Sequence, residues 1–462
     1  MDYKTFLNKK DVEDAPSGLD VDISELNGMM FPFQKAITKW GLKRGRAAVF
    51  LNTGLGKSLV QLDWCRLISE KTNKPTIIIT PLAVAEQFMR EAEKFGIKAN
   101  HIRDNKDVIN GINITNYEIL HKIDCRQFVG VALDESSILK QFDAKYRTTI
   151  IDTFSKTPYR LSASATPAPN DYMELGNQAQ FLGVLSYHEM LATFFVHDSG
   201  QTQKWRLKKH AEDEFWKWMC GWAVNIRKPS NIGFDDTGYN LPPLNQHLEV
   251  IETMEENDGK LTLSMAKKVR RQTVEMKVDK VVEIVNKYDK DEPILIWCGL
   301  NDESKMLMQK LKHLGAVEVK GSDSHDKKEH AAKWFSGAIP SLNRKILISK
   351  PSIFGFGMNF QECATQVFCG VDYSFEGEYQ AIRRSWRFGQ KKPVNIHFVL
   401  TNKEESIMDN VRAKEQAFEK MYSNMVEHMK EFTKQEIVNS TKFQEEYNDD
   451  LKMIIPEFLI AA

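Results

Sequence analysis

The chain has 462 residues, more than one ordinary hydrophobic core accommodates and enough for two or three domains. Its 42% hydrophobic and 27% charged residues, with no apolar run near the ~18 of a membrane span and no signal-peptide pattern over 1–20, predict a cytoplasmic globular protein without a membrane partner. Lys+Arg and Asp+Glu are equal at 63 each, so net charge neither supports nor excludes a nucleic-acid partner, and any basic surface must be local.

Up to Thr166, short apolar runs alternate with amphipathic stretches. Residues 47–51, 76–80, 111–115 and 129–133 read as buried strands, each followed by a polar or glycine-containing loop, while 59–69 and 84–95 read as helices. Strand, loop and helix in repetition predict a parallel sheet with helices on both faces. From 197 to 288 the character changes. A basic aromatic cluster (Lys204, Trp205, Arg206, Lys208, Lys209) precedes a tryptophan-rich helix (Trp216, Trp218, Trp222), then come Pro242 and Pro243 and a second basic run (Lys267, Lys268, Arg270, Arg271). This stretch reads as a helical linker and insertion. The first pattern then resumes, with strands at 294–297, 345–348, 366–369 and 395–399 and helices at 304–314 and 325–335. After 404 the sequence is charged and helical. The predicted organisation is α/β, with two tandem parallel-sheet domains (1–196 and 289–403), a linker over 197–288 and a helical tail over 404–462. The six cysteines form no C-x-x-C pair and have no zinc-type histidine partner, so they read as buried thiols.

Three groups of residues carry chemistry. Thr53-Gly54-Leu55-Gly56-Lys57-Ser58 follows the strand at 47–51 and leads into a helix. Glycines there let backbone N–H groups turn around phosphate oxygens at a helix N-terminus. Lys57 would reach the β- and γ-phosphates of ATP, and the Ser58 hydroxyl would bind Mg²⁺. Leu51 stands where the full phosphate-loop pattern has a glycine, so only the pattern's second half is present. Next, the apolar run 129–133 ends in Asp134-Glu135. An isolated Asp-Glu pair is more often a solvated turn. After a phosphate loop, it suits a metal-holding Asp134 and a Glu135 that polarises the attacking water. Finally, residues 380–390 read as a helix entering a glycine turn, with Arg384 and Arg387 on one face. Two guanidinium groups suit the charge that builds on a transferring γ-phosphate, and here a second domain would supply them.

These residues resemble the Swi/Snf-type ATPases of the superfamily-two helicases, in order from Phe33 to about Glu405. Gln34 resembles that family's adenine-reading glutamine. Thr80-Pro81-Leu82 and Thr115-Asn116-Tyr117-Glu118 are similar to its nucleic-acid-contacting segments. Ser164-Ala165-Thr166-Pro167, with Asn170 and Glu174-Leu175, is similar to its coupling motif, and Gly321-Ser322, residues 355–361 and residues 380–390 to its second-domain motifs. The resemblance implies two RecA-like domains, ATP and Mg²⁺ as cofactors, and a nucleotide site formed by Gln34, Thr53, Gly54, Leu55, Gly56, Lys57 and Ser58. It implies Lys57, Asp134, Glu135, Arg384 and Arg387 as catalytic groups and Ser58 and Asp134 as metal ligands. Two departures stand out. The family's Asp-Glu-x-His box is here Asp134-Glu135-Ser136-Ser137, and the segment between the halves is short, as in compact phage or bacterial members. The expected function is a motor that moves along duplex DNA by hydrolysing ATP. A strand-separating helicase on DNA or RNA and an ATP-gated clamp that recruits a protein through the tail remain the alternatives. Lys204–His210 and 267–271 are further candidate nucleic-acid contacts, with Trp205 able to stack on a base.

Overall fold

The computed structural model describes residues 17–441 except 141–143, 169–170, 198–204, 254–269, 338, 340–344, 355–358 and 371–374. The expectations for Asn170, Lys204, Lys267, Lys268, residues 355–358 and the tail beyond Thr441 lie outside the described residues.

The first half builds β1 (Arg46–Leu51), β2 (Thr76–Thr80), β3 (Ala99–His101), β4 (Ile112–Asn116), β5 (Gly130–Asp134) and β6 (Tyr159–Ser164). A short antiparallel hairpin, β7 (Phe195–His197) and β8 (Trp205–Leu207), precedes β9 (Ala223–Ile226). The second half contributes β10 (Leu244–Ile251), β11 (Ile294–Cys298), β12 (Ala316–Glu318), β13 (Ile346–Ser349), β14 (Thr365–Cys369) and β15 (Val394–Thr401). Two separate sheets result, ordered β3-β4-β2-β5-β6-β1-β9 and β10-β15-β14-β11-β13-β12, and every pairing within them is parallel. β2, β4, β5, β11 and β14 are buried along their whole length, so both faces of the sheets are covered; β4 and β14 carry buried polar residues (Asn113, Thr115, Gln366) within that setting.

The helices that bear on function are α1 (Pro32–Arg44), α2 (Lys57–Thr72), α3 (Ala85–Lys94), α4 (Leu175–Leu182), α5 (Glu212–Trp222), α6 (Val274–Lys287), α7 (Asn301–Leu311), α8 (His325–Phe335), α9 (Phe375–Ile382) and α10 (Glu405–Thr441). On one face of the first sheet, Val49 and Leu51 pack with Trp40 of α1 and Leu62 and Trp64 of α2. On the other face, Phe50 packs with Phe215, Trp216 and Trp222 of α5. The tryptophan-rich helix is therefore core.

The structure departs from the sequence expectation in three places. The stretch read as a helical linker supplies an edge strand to each sheet: β9 pairs with β1, and β10 pairs with β15 over its whole length. β10 has no alternating pattern because it is half exposed and its partner fixes it through the backbone. The helix read over 380–390 stops at Ile382, and 383–389 form successive turns closed by Gly389 at φ 92°. The Arg384 side chain explains the stop, since its Nε donates to the Gln380 carbonyl at 3.0 Å, where a continuing helix would place the Arg384 N–H. The third departure is the tail helix α10, which runs across both halves. Ile407, Met408 and Val411 pack with Phe368 and Phe398 of the second sheet, whereas Met425 and Met429 enter the core around Phe50 and Trp222. Tyr422 donates to the Ile226 carbonyl at 3.3 Å beneath the Arg227 guanidinium.

A buried ionic cluster ties the carboxyl ends of the second sheet to α6. Lys277, Glu303 and Glu404 are each wholly buried. Lys277 Nζ lies 3.0 Å from Glu404 and 3.9 Å from Glu303, and Arg270 Nε lies 3.3 Å from Glu303. Glu303 also accepts the Gly299 and Leu300 N–H groups, and Glu404 those of Thr401. Deleting the central cation leaves the Glu404 carboxylate uncompensated away from water, while Glu303 keeps Arg270. Lys277→Met is therefore expected to lower unfolding stability by about 3–5 kcal/mol, read from denaturant melts of the second-half transition. An unchanged midpoint would show that solvent reaches the cluster.

Candidate active site

The loop between β1 and α2 is shaped by its glycines. Gly54 and Gly56 adopt φ 92° and 81°, a left-handed backbone that glycine takes without a Cβ penalty. A Cβ on Gly56 would sit 2.2 Å from Gln34 Nε2, and one on Gly54 would sit 2.9 Å from the Phe388 nitrogen of the second half. Asn52 Oδ1 accepts the Thr53 N–H at 2.8 Å, and the Leu55 N–H returns to the Asn52 carbonyl at 3.2 Å. The loop therefore opens onto the N-terminus of the sixteen-residue α2. Lys57 Nζ donates to the Leu51 carbonyl at 3.0 Å. Gln34 is buried, its Oε1 accepting the Phe31 N–H and its Nε2 donating to the Leu55 carbonyl, both at 2.9 Å. One N–H and one lone pair of that amide remain for a base.

β5 stands one strand away from β1, with β6 between, so parallel pairing sets Asp134 on the same sheet edge as the loop. Gln61 of α2 donates to Asp134 Oδ1 at 2.8 Å, and Tyr117 donates to the Asp134 carbonyl at 2.7 Å. Burial, reinforced by the neighbouring Glu135, pushes the Asp134 carboxyl up to about 7. Glu135 holds φ at 49°, unusual for a residue with a side chain, and its Oε2 is buried without a hydrogen-bond partner.

From the second half, Arg384 and Arg387 line the same cleft although the helix has ended. Arg384 is buried and fixed by Gln380, whose Oε1 accepts from its Nη2 at 2.9 Å. Arg387 donates to Asn359 Oδ1. Burial first, and then Arg387, lowers the Arg384 guanidinium to about 9, while Glu135 and Asp134 oppose the shift. Burial also lowers Lys57 and Arg387.

The cleft encloses about 780 Å³ and is lined by Gln34, Thr53, Gly54, Gly56, Lys57 and Ser58 together with Asp134, Glu135, Arg384 and Arg387. Leu55 lies beneath it, buried, presenting only its carbonyl to Gln34. The expected site residues other than Leu55 thus line one cleft. The cleft brings three cationic side chains, Lys57, Arg384 and Arg387, together with the Asp134 and Glu135 carboxylates, an arrangement that suits a polyanion accompanied by a cation. Ser58 and Asp134 both line the cleft and are oxygen donors of the kind that could hold a divalent cation, and the glycine cradle is of the kind that could receive phosphate.

Some participants were not read from the sequence. Gln61 lies one helical turn beyond Lys57, the only sequence signal it carries. Phe31, Tyr239 and Phe388 form an aromatic wall of the cleft, with Tyr239 and Phe388 ring centres 4.7 Å apart and tilted. Tyr379 reaches Asn52 Oδ1 at 3.4 Å, and Arg90 of α3 pairs with Glu329 of α8 at 3.3 Å, so the two halves touch at the cleft's rim.

Among the proposed nucleic-acid contacts, Leu82 is exposed at 60%, and Arg206, Lys209 and Arg271 are also exposed. Lys208 instead donates to the Ala192 and Thr193 carbonyls, and Arg270 joins the buried cluster. Trp205 lies against His197, with ring centres 3.6 Å apart, so one face is already covered.

Comparison with known proteins matches residues 33–335 to the SNF2-related domain family. Chromodomain-helicase-DNA-binding protein 1 of Gallus gallus is 22% identical over 431 residues, covering 78% of this chain and 24% of its own length. The Homo sapiens protein of that name is likewise 22% identical, with 25% of its length covered. TATA-binding protein-associated factor mot1 of Schizosaccharomyces pombe is 30% identical over 128 residues, 26% of this chain and 6% of its own. This chain spans about a quarter of the length of the first two relatives. Among solved structures, a Sulfolobus solfataricus SWI2/SNF2 ATPase core in complex with dsDNA is 17% identical, covers 91% of this chain and 99% of that one, and has a TM-score of 0.42.

Proposed function

This chain belongs to the SNF2-related domain family of ATP-hydrolysing superfamily-two enzymes, and from that premise we propose that it is a motor coupling ATP hydrolysis to movement along duplex DNA. The observation that carries the reading is the composition of the cleft. Lys57, Asp134 and Glu135 enter it from the first sheet and Arg384 and Arg387 from the second. The two units are each sheet with its helices, joined through residues 227–243.

In this reading the loop 53–58 wraps the phosphates with backbone N–H groups, and Lys57 neutralises them. Gln34 and the aromatic wall of Phe31, Tyr239 and Phe388 receive the base. Mg²⁺ held by Ser58 and Asp134 would neutralise charge on the β- and γ-phosphates. Glu135 orients the attacking water and takes its proton, while Arg384 and Arg387 stabilise the charge on the transferring phosphoryl group. Because those arginines belong to the second unit, closure completes the site and hydrolysis releases it, which converts chemistry into relative motion.

DNA is the partner in the names of the chromodomain-helicase-DNA-binding relatives. The test is a comparison of stimulants and products. Duplex DNA is expected to raise ATP turnover above single-stranded DNA and RNA, and the ATP-driven protein is expected to displace a triplex-forming strand while the duplex stays paired. Efficient opening of a forked duplex without triplex displacement replaces this reading with strand separation. DNA binding gated by ATP with no turnover replaces it with a clamp.

A further inference from the structure

We propose that Tyr117 and Gln178 are positioning residues for Glu135, pinning the backbone carbonyls on either side of it; the inference rests on the role given to Glu135 above. Glu135 sits at φ 49°, a left-handed conformation that a side-chain-bearing residue keeps only when its surroundings over-determine it. The carbonyl before it, of Asp134, accepts the Tyr117 hydroxyl at 2.7 Å. The carbonyl after it, of Ser136, accepts Gln178 Nε2 at 2.9 Å. Its own carbonyl accepts the Ile138 N–H at 3.0 Å as the next turn begins. Three successive carbonyls are thereby fixed in direction, two of them by side chains distant in sequence.

Both donors are themselves held. Tyr117 is buried at the end of β4, where the chain turns after Asn116. Gln178 is wholly buried on α4, and its Oε1 accepts the Ser162 hydroxyl of β6, the strand beside β5. The Gln178 amide therefore bridges β6 to the loop after Glu135, and it does so beside Ser136-Ser137, where the family's box would place a histidine. Neither donor lines the cleft shared by Lys57, Asp134, Glu135, Arg384 and Arg387. Their effect on turnover would pass through the aim of the Glu135 carboxylate.

The experiment measures kcat and KM for ATP, with thermal melting, for Tyr117→Phe, Gln178→Leu and Gln178→Glu, with Glu135→Gln alongside. Tyr117→Phe removes one oxygen and keeps the ring, and Gln178→Glu keeps both the shape and the acceptor for Ser162 while losing the donor. Each is expected to lower kcat about tenfold, the scale of one hydrogen bond lost from an aligned group. KM and direct nucleotide affinity are expected to stay within about twofold, since ground-state binding does not pass through Glu135. Unchanged kcat in Tyr117→Phe and Gln178→Glu overturns the inference, as does a rise in KM that tracks a fall in melting temperature, which marks a merely structural role. If Glu135→Gln itself turns over at the parent rate, it is the role of Glu135 that fails.

Discussion

Glu135→Gln is expected to bind ATP with near-parent affinity and to hydrolyse it roughly 10²–10⁴-fold more slowly, whereas Lys57→Ala is expected to lose nucleotide binding. The two substitutions touch the same cleft but different stages of the reaction. Lys57 is expected to meet phosphate charge in the ground state; burial lowers its ammonium from the ordinary value, while Glu135 and Asp134 oppose that shift. Its loss therefore shows in affinity. Glu135 carries a buried oxygen without a partner, and in the reading above that oxygen faces the water that attacks. The amide of glutamine keeps the shape and removes the proton acceptor, so its loss shows in kcat. Equilibrium binding of a fluorescent ATP analogue and single-turnover hydrolysis separate the two outcomes. Parent-rate hydrolysis by Glu135→Gln would remove that carboxylate from the mechanism.

Arg384→Ala and Arg387→Ala are expected to bind ATP and DNA nearly normally and to lose DNA-stimulated turnover by on the order of 10³ or more. The affinity residues lie in the first half, from Gln34 to Ser58, so the ground state keeps most of its contacts. The arginines come from the second half, and burial already holds Arg384 down at about 9, a state that developing phosphate charge relieves. The two variants differ in one respect. Arg384 is buried against Gln380 while Arg387 is half-buried on Asn359, so Arg384→Ala also opens a void and lowers melting temperature more. Arg387→Lys keeps the charge but not the planar fork, and it is expected to restore only part of the loss. The measurement is basal and DNA-stimulated hydrolysis beside ATP affinity for each variant. Full stimulated turnover in both alanine variants would show the two arginines to be a passive lining, and the two-unit mechanism would go with them.

The boundary between what could be read from residues and what could not follows physical range. Gly54, Gly56 and Lys57 were readable because a phosphate-binding turn needs particular backbone angles over a few adjacent residues, and those angles select glycine. Asp134 was readable because it ends the apolar run Val131-Ala132-Leu133 at the carboxyl end of β5. The interior strands β1, β2, β4, β5, β11, β13, β14 and β15 were read as strands, whereas the interior strand β6 was not, because Arg160, Ser162 and Ser164 break its apolar run. The edge strands β3, β9, β10 and β12 did not come through. They are short or half exposed, and the strand each pairs with, not its own composition, holds it in the sheet.

By itself the sequence determined the glycine loop after β1, the acidic end of β5, the two-sheet α/β class and the family, because each rests on local backbone geometry or on a linear order of motifs. Only the tertiary structure decided that Arg384 and Arg387 reach the cleft from turns instead of one helical face, that α10 lies across both halves, and that Gln178 of α4 meets the Ser136 carbonyl. Each of these joins residues far apart in the chain. Such contacts depend on how packed faces dock, and the free energy of docking is shared among many side chains without a signature at any one position.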